Sequence, residues 1–306
     1  MPVQFSSDGS PYIELSPKAV IRLEKDELNE KEKLKAEKEL RETPEVVEEG
    51  LKALRQLIED EPDFYFPDDV DYMTEFLRPC KYYAESAMDL MRRYYTFKIK
   101  HPAICQNVLP SKNRIAFEQG VISFMPKRDK FGRRILIIQA GKKWIPKDCS
   151  LWDMFKALQM ALLAAMDEPK TQVNGVSCII DLKGLSLTHV YQFTPNFAKL
   201  ASGWVQDCVP LRLKGLHVIN QPYLFNMLFA IFKPFLRQKL RKRIHFHGSD
   251  FTQLCEWLGE ENLREDMGGT LEAPECDGIM LADLLCQYED KFKLAETFGY
   301  KSKENL

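Results

Sequence analysis

The chain has 306 residues, of which 45% are hydrophobic and 29% charged, and its formal net charge is −2. This apolar fraction excludes wholesale disorder and fibrous structure, and the balanced charge argues against a nucleic-acid binder driven by bulk charge. The eight cysteines are scattered without a C-x-x-C pair, so we expect reduced thiols and neither a zinc site nor a disulfide framework.

The first third of the chain, residues 1–110, predicts a small helical domain. Residues 1–15 are expected to form a loose arm. The Glu- and Lys-rich stretch 17–61 predicts a solvated helix followed by a second helix that begins at Pro44. Two further helices are predicted, over 72–77 and 84–99.

Beyond residue 110, short β-rich runs alternate with helical patterns. The predicted strands are 121–124, 135–139, 176–180, 216–219 and 244–246. The predicted helices are 151–166, 195–207, 223–232 and 251–258. Such alternation indicates βαβ crossovers and a mostly parallel sheet covered by helices, which is the α/β class. We predict one α/β domain over 111–275 and a C-terminal tail over 276–306.

Signatures of enzymatic and metal sites are absent or weak. The sequence has no G-x-G-x-x-G, no phosphate-binding P-loop and no G-x-S-x-G. Asp181 follows a predicted strand, and a cap on the next turn is favoured over a catalytic role. His245 and His247 are expected to be a packed or hydrogen-bonded pair on a strand and not metal ligands. We therefore predict no enzyme, no catalytic residue, no metal and no cofactor; an enzyme using Asp181 with a histidine is the weakest alternative.

One segment stands out, an apolar helix over 222–232 followed at once by a basic run. Because this helix is apolar on nearly every side, nearly all of its surface is expected to be buried. Core packing explains it simply, but a lid over an apolar ligand that touches lipid on its other side is the sharper hypothesis. A basic run can be just a solvated surface, yet apolar surface beside Lys and Arg is typical of binding to an anionic membrane. The run contains Lys233, Arg237, Lys239, Arg241, Lys242 and Arg243.

Membrane association is expected to be reversible and not integral. Residues 1–10 lack the pattern of a signal peptide, and no apolar stretch approaches the ~18 residues that span a bilayer. We therefore expect a cytoplasmic protein that docks peripherally on membranes. RNA binding by the same cations is disfavoured, because no aromatic stacking pattern accompanies them.

Several motifs together carry a family resemblance. They include Phe76-Leu-Arg78, Gly132-Arg-Arg-Ile-Leu-Ile, Asn174-Gly175, Ile180-Asp-Leu-Lys-Gly184, Gln192-Phe-Thr-Pro195, the segment 209–220, Phe232-Lys-Pro-Phe-Leu236, Arg243-Ile-His-Phe-His-Gly248 and Met267-Gly-Gly269. From about residue 70 to 270 the sequence resembles the CRAL-TRIO lipid-binding family. Within it, the branch of alpha-tocopherol transfer protein, cellular retinaldehyde-binding protein and clavesin is most similar.

The resemblance implies an N-terminal helical bundle followed by an α/β/α domain whose sheet forms the floor of a lipid pocket. A mobile helix gates this pocket, and the gate falls on residues 220–243. Transferring the family's pocket onto matching positions gives an all-apolar lining, as a water-insoluble ligand requires. The implied ligand-binding residues are Phe155, Leu158, Leu162, Val176, Ile180, Leu187, Phe193, Ala201, Val205, Leu211, Leu216, Leu228, Ile231 and Phe232.

The resemblance also implies a phosphoinositide-binding surface beside the gate. Related proteins engage the headgroup with cations that match Arg212, Lys239 and Arg243, joined by Lys214 and Arg241. Two departures matter. Leu211 stands where yeast-type phosphatidylinositol transfer relatives carry a Glu that reads the inositol, which disfavours phosphatidylinositol as the enclosed cargo. Pro79-Cys-Lys81 stands where relatives have Ala-Arg, so one headgroup cation is displaced or missing.

The sequence thus predicts a non-enzymatic carrier of a tocopherol-, retinoid- or isoprenoid-like molecule. Its expected partners are that small ligand and a phosphoinositide-containing membrane, with ligand exchange coupled to membrane contact. The alternative is a phosphoinositide-sensing membrane-trafficking adaptor whose pocket occupant is only structural.

Overall fold

The structure, a computed structural model, describes residues 3–300 of the chain. Its N-terminal part contains, in chain order, β1 (Gln4–Phe5), β2 (Pro11–Ser16), β3 (Ala19–Arg22), α1 (Glu30–Leu40), α2 (Pro44–Glu59), β4 (Phe64–Tyr65), α3 (Val70–Leu77), α4 (Ala84–Lys100) and α5 (Pro102–Cys105). The middle part contains α6 (Ile115–Glu118), β5 (Ile122–Phe124), β6 (Arg134–Gln139), α7 (Leu151–Met166), α8 (Pro169–Asn174), β7 (Val176–Asp181), α9 (Leu187–Val190), α10 (Pro195–Gly203) and β8 (Leu213–Ile219). The last part contains α11 (Phe225–Phe232), α12 (Gln238–Arg241), β9 (Ile244–Gly248), α13 (Thr252–Leu258), α14 (Gly278–Cys286), α15 (Glu289–Glu296) and β10 (Gly299–Tyr300).

The N-terminal segment is a correction to the sequence prediction. Residues that were expected to form a loose arm and the start of a helix instead form β1, β2 and β3, a three-stranded antiparallel sheet. The physical reason is the alternation of apolar residues, since Ile13 and Ile21 pair across the two longer strands and are both buried in the main core. Residues 1 and 2 of the predicted arm lie outside the described residues.

The first helices begin where their capping residues stand. The side chain of Asn29 caps α1 and forms a reciprocal capping box with Glu32. Thr43 caps α2, and Pro44 occupies its first turn, which confirms the predicted start of the second helix. Helices α2, α3 and α4 share a separate core built around Leu54 and Met91.

A five-stranded sheet with the order β5-β6-β7-β8-β9 forms the centre of the molecule. Strand β5 is antiparallel to β6, and the other three pairings are parallel. This confirms the predicted mixed α/β class with a mostly parallel sheet. In the register, Ile137 lies beside Ile179 and then His217, while Ile138 lies beside Ile180.

The two faces of this sheet are covered by different helices. On one face, Ile137 and Ile179 pack against Leu254 and Leu258 of α13 in a core of fully buried residues. On the other face lie α7, α10 and α11. Helix α7 has the predicted bounds, and Ser150 caps it in a second capping box.

The C-terminal residues form structure that packs on both cores. Leu281 and Leu285 of α14 are buried in the main core. Strand β10 pairs with β4, and Phe298 belongs to the core of α2–α4. Residues 301–306 of the predicted tail lie outside the described residues, and the predicted domain boundaries stay predictions.

Candidate ligand-binding site

A cavity of about 250 Å³ lies between the central sheet and α11. Every lining residue that the structure describes is apolar except Ser202. The strands and the residues directly after them contribute Ile122, Ile138, Ala140, Ile180, Leu182, Leu213, Leu216, Val218 and Ile244. The helices and their flanking loops contribute Met154, Phe155, Leu158, Phe193, Phe197, Ala201, Val205, Phe225, Leu228, Phe229, Phe232, Leu236 and Leu240.

Nine of the fourteen ligand-binding residues implied by the resemblance line this cavity. They come from three helices, two strands and the loops around α10, so the fold gathers residues that are far apart in the chain. The nine are Phe155, Leu158, Ile180, Phe193, Ala201, Val205, Leu216, Leu228 and Phe232.

The structure does not bring the other five to the cavity. Leu162, Val176 and Leu211 pack against the main hydrophobic core instead. Leu187 on α9 is 44% exposed to solvent. Ile231 lies on α11, where its neighbours Leu228 and Phe232 face the cavity and it does not.

The sequence reasoning missed several lining residues that simple periodicity could have found. Ile138 and Val218 lie beside Ile180 in the sheet register, so they share its face. Phe225 and Phe229 precede Leu228 and Phe232 at the spacing that keeps them on one side of a helix. The sheet register itself is a tertiary property and cannot be read from single strands.

The gate, residues 220–243, has an inner and an outer side. Four residues of α11 line the cavity, and Leu228 is buried. On the outer side Tyr223 is 87% and Met227 is 47% exposed. The gate is therefore apolar on both sides. One side covers the cavity, and the other presents large apolar side chains to solvent.

Polar contacts hold both ends of the gate. At the start, Asn220 donates a hydrogen bond from Nδ2 to Oδ1 of Asp181 at 2.9 Å. The same carboxylate oxygen accepts the backbone N–H of Lys183, so Asp181 caps the turn as the sequence predicts. At the other end, Gln206 donates to the carbonyl of Phe235 at 3.0 Å and accepts the N–H of Arg237 at 2.8 Å. Polar contacts therefore flank α11 on both sides, while Leu228 packs in a hydrophobic cluster with Val190 and Val218.

Three of the predicted headgroup cations lie in a partly buried group that we call the basic recess: Lys35, Arg133, Arg212, Lys214 and Arg243. Glu39 of α1 is its main counter-charge, 2.5 Å from Arg212 and 3.6 Å from Lys214. Burial, followed by the neighbouring cations, lowers the pKa of Lys214 to about 8. The recess therefore has an excess of positive charge that an added anion would relieve.

The other two predicted cations, Lys239 and Arg241, lie on α12 and are exposed. With Lys233, Arg237 and Lys242 they form an exposed group that we call the basic gate. Arg237 is paired with Asp207, whereas Arg241 donates to the carbonyl of Lys233. The sequence reasoning missed Lys35 and Arg133, because they reach the recess from α1 and the start of β6 and belong to no basic run.

Comparison with known proteins identifies the family. Residues 118–269 match the CRAL/TRIO domain. An alpha-tocopherol transfer protein-like protein of Homo sapiens is 33% identical over 259 residues, covering 84% of this chain and 75% of that protein. The chain belongs to the CRAL/TRIO family. Clavesin-1 of Rattus norvegicus is 32% identical over 241 residues, covering 78% of this chain and 68% of that protein.

These relatives confirm the family resemblance seen in the motifs. Clavesin-2 of Mus musculus is 30% identical over 241 residues, covering 78% of this chain and 73% of that protein. The crystal structure of Sfh5 superposes with a TM-score of 0.43 at 14% identity, over 89% of this chain and 99% of that chain. So distant a superposition adds nothing to the family assignment, which rests on the sequence relatives.

On the opposite face of the sheet, the CRAL/TRIO domain carries a stack of histidines. His217 is fully buried, and its Nδ1 lies 3.0 Å from Nε2 of His247. His245 stacks on His217 with ring centroids 5.1 Å apart and also contacts Trp257. His245 and His247 are thus a packed pair on β9, with ring centroids 6.4 Å apart, and the hydrogen bond joins His247 to His217 of β8.

His189, a lone histidine in the sequence, contacts Ser186 through Nδ1 and the carbonyl of Trp144 through Nε2, which fixes the turn of α9. Within residues 3–300, no group of His, Cys, Asp or Glu side chains is placed to hold a metal ion. In the same range, no helix is both long and apolar enough to cross a membrane.

Proposed function

We propose that the protein carries a small hydrophobic ligand, of tocopherol, retinoid or isoprenoid type, in the cavity beneath α11. The observation that supports this most is the lining itself, which is apolar at every described position but one and is covered on one side by α11. Relatives named as alpha-tocopherol transfer protein-like point to the same class of ligand. That the protein is not an enzyme remains a prediction.

The cavity can supply the necessary free energy. Burying roughly 400 Å² of ligand surface at about 25 cal/mol per Å² would contribute about 10 kcal/mol before the costs of ordering. Because polar groups contribute almost nothing to the lining, shape must select the ligand. Exchange then requires α11 to move, since Phe225, Leu228 and Phe232 form one wall of the cavity.

Mass spectrometry of an organic extract of the purified protein tests this proposal. We expect one hydrophobic small molecule at close to one equivalent per chain. A matched variant, Leu216→Trp, should fill the cavity and release that molecule, whereas Leu254→Met on the other face of the sheet should retain it. An extract without any stoichiometric lipid would contradict the carrier and favour the trafficking adaptor.

We further propose that the protein docks reversibly on phosphoinositide-containing membranes through the basic gate and the basic recess. Exposed cations on α12 follow α11 in the sequence, and the outer side of the gate presents Tyr223 and Met227 to solvent. Apolar side chains beside cations suit an anionic bilayer surface, where each cation contributes ~1 kcal/mol. In the recess, headgroup phosphates would replace Glu39 as the partner of Arg212 and Lys214.

Cosedimentation with vesicles containing a phosphatidylinositol bisphosphate tests the docking proposal. Replacing Lys239, Arg241 and Arg243 by Ala should weaken binding on the order of 100-fold at low salt and slow ligand transfer. A control variant carries Lys52, Lys112 and Lys147 changed to Ala, because these lysines are exposed elsewhere and the change in net charge is the same. Equal losses in both variants would reject the basic gate as the docking surface.

A further inference from the structure

We infer that a groove between α4 and α10 is a docking site for an acidic amphipathic helix of a partner protein. The groove has a volume of about 660 Å³ and is separate from the ligand cavity. The inference goes beyond the proposed function, because it concerns a protein partner and a different surface of the molecule.

The groove is formed by one face of each of two neighbouring helices. On α4 its lining includes Arg93, Phe97 and Lys100, which are four and three residues apart and so share a helical face. On α10, and on the helical turn Trp204–Cys208 that continues it, the lining recurs at the same spacing. A different face of α10 lines the ligand cavity through Phe197, Ala201 and Val205.

The floor of the groove is apolar and recessed. Trp204 is 4% and Cys208 is 7% exposed, while Phe97 and Leu200 are half-buried. A flat bilayer surface does not reach side chains that lie between two helices. A third helix does, because it can insert apolar side chains of one face into the groove.

The rim of the groove carries positive charge that the protein does not neutralise. Arg93, Lys100 and Lys199 are exposed, and within residues 3–300 no carboxylate forms an ion pair with any of them. The other charged side chains of the lining, Arg92 and Asp207, are already paired with partners outside the groove. Cations around an apolar floor complement a helix whose apolar face is flanked by Asp or Glu.

Gly203 is a second observation that points to an occupant. Glycine inside a helix is less stable than alanine, yet a Cβ at this position would meet no atom within 4 Å beyond its own stretch of helix. The packing of the protein itself therefore does not require glycine here. The missing side chain keeps this part of the groove open, so that a docked helix can approach the backbone closely.

Fluorescence polarisation with a synthetic peptide tests the inference. The probe is a fluorescein-labelled helical peptide with Leu at i, i+3, i+4 and i+7 and Glu on both flanks; a second probe has Lys in place of each Glu. The full chain should bind the acidic peptide saturably, with an affinity that falls as salt rises, and should bind the basic peptide far more weakly. No saturable binding of the acidic peptide up to about 1 mM would overturn the inference.

Three variants locate the binding. Lys100→Glu with Lys199→Glu should weaken binding of the acidic peptide about 10-fold and strengthen binding of the basic peptide. Gly203→Phe should also weaken the acidic peptide about 10-fold, because its ring enters the groove without a change in charge. The control, Lys52→Glu with Lys147→Glu, has the same net charge as the first variant at exposed sites elsewhere and should change binding less than about 2-fold. Equal losses in the two charge variants would overturn the inference.

The same variants distinguish other occupants of the groove. If Gly203→Phe loses binding to anionic vesicles but keeps the acidic peptide, the groove contacts a bilayer. If the wild type forms oligomers in sedimentation velocity and Gly203→Phe is monomeric, the groove contacts a second copy of this chain. Either result would overturn the inference. Stronger binding of the basic peptide by the charge-reversed groove variant would support it, since an unfolded variant could not gain this affinity.

Discussion

The two faces of the central sheet carry the same residue types, but one face is fully packed and the other borders a cavity. Ile179 and Ile180 are adjacent in β7 and point to opposite faces. Ile179 is fully buried against α13, whereas Ile180 is half-buried and lines the cavity. The same contrast holds for Ile137 and Ile138 in β6. Composition therefore does not decide where a cavity forms; the helices that cover each face decide it.

The covering elements differ in how they are attached. Helix α13 packs its Leu254 and Leu258 directly against the sheet, and both are fully buried. The polar contacts near α11 lie in the segments before and after it, at Asn220 and Arg237, and within the helix Leu228 is buried. Because α11 covers a cavity and not a fully packed core, its movement would break fewer packing contacts than that of α13, which suits ligand exchange.

The largest expected effect is a difference in stability between alanine variants of Ile179 and Ile180. Ile179→Ala should lower the free energy of unfolding by about 3 kcal/mol, because it leaves a void in a fully packed core. Ile180→Ala should lower it by only about 1 kcal/mol in the delipidated protein, since its side chain already borders empty space. Chemical denaturation of both variants measures the difference. Equal losses would show that the cavity face is packed as tightly as the other face.

Overpacking provides the converse test with a smaller effect. Ala201→Phe should extend into the cavity, change the free energy of unfolding by less than about 1 kcal/mol and reduce farnesol binding at least 10-fold. Ile179→Phe, which has no space to enter, should destabilise the protein by about 2 kcal/mol and leave ligand binding unchanged in the folded fraction. Chemical denaturation measures the change in stability, and displacement of a bound fluorescent lipid by farnesol measures the change in ligand binding. Strong destabilisation by Ala201→Phe would contradict the cavity.

The fold was predictable where local patterns are unambiguous. The bounds of α7 follow from its capping serine and apolar spacing, and the start of α2 follows from Thr43 and Pro44. The N-terminal strands were missed because β2 and β3 are short and stand next to a charged stretch that dominates any helical pattern. Their stability comes from packing of Ile13 and Ile21 into the main core, which is a tertiary effect.

The site was predictable only in part, for a related reason. Positions transferred from the family reached the cavity where a helix or strand fixes the facing side, as with Phe155 and Leu216. They failed in regular elements as well as in connecting segments: Leu162 and Ile231 lie on helices that line the cavity through other residues, and Leu211 lies in a connection whose direction no periodicity determines. Lys35 and Glu39 of the basic recess come from α1, far away in sequence, so no local charge pattern could have joined them to Arg212.

The last prediction concerns pH, and it again distinguishes the two faces of the sheet. The described lining of the cavity contains no titratable side chain, whereas the other face contains the fully buried His217. Burial, followed by repulsion from His247, His245 and Arg133, lowers the pKa of His217 to about 3 from a usual 6.5. At a pH between these two pKa values, His217 is protonated in the unfolded chain but neutral in the folded protein. Stability therefore falls as the pH decreases below about 6.5.

From pH 7 to pH 5 we therefore expect a loss of about 2 kcal/mol in the free energy of unfolding from His217. His217→Gln should be less stable at pH 7, because it disturbs the bond to His247, but it should lose less stability between the two pH values. Farnesol affinity of the folded protein should not change over the same range, since no group that lines the cavity titrates. Denaturation curves and displacement assays at both pH values check this. If the free energy of unfolding depends on pH equally in the wild type and in His217→Gln, groups other than His217 cause the acid sensitivity. If the farnesol affinity depends on pH, the two faces of the sheet are coupled.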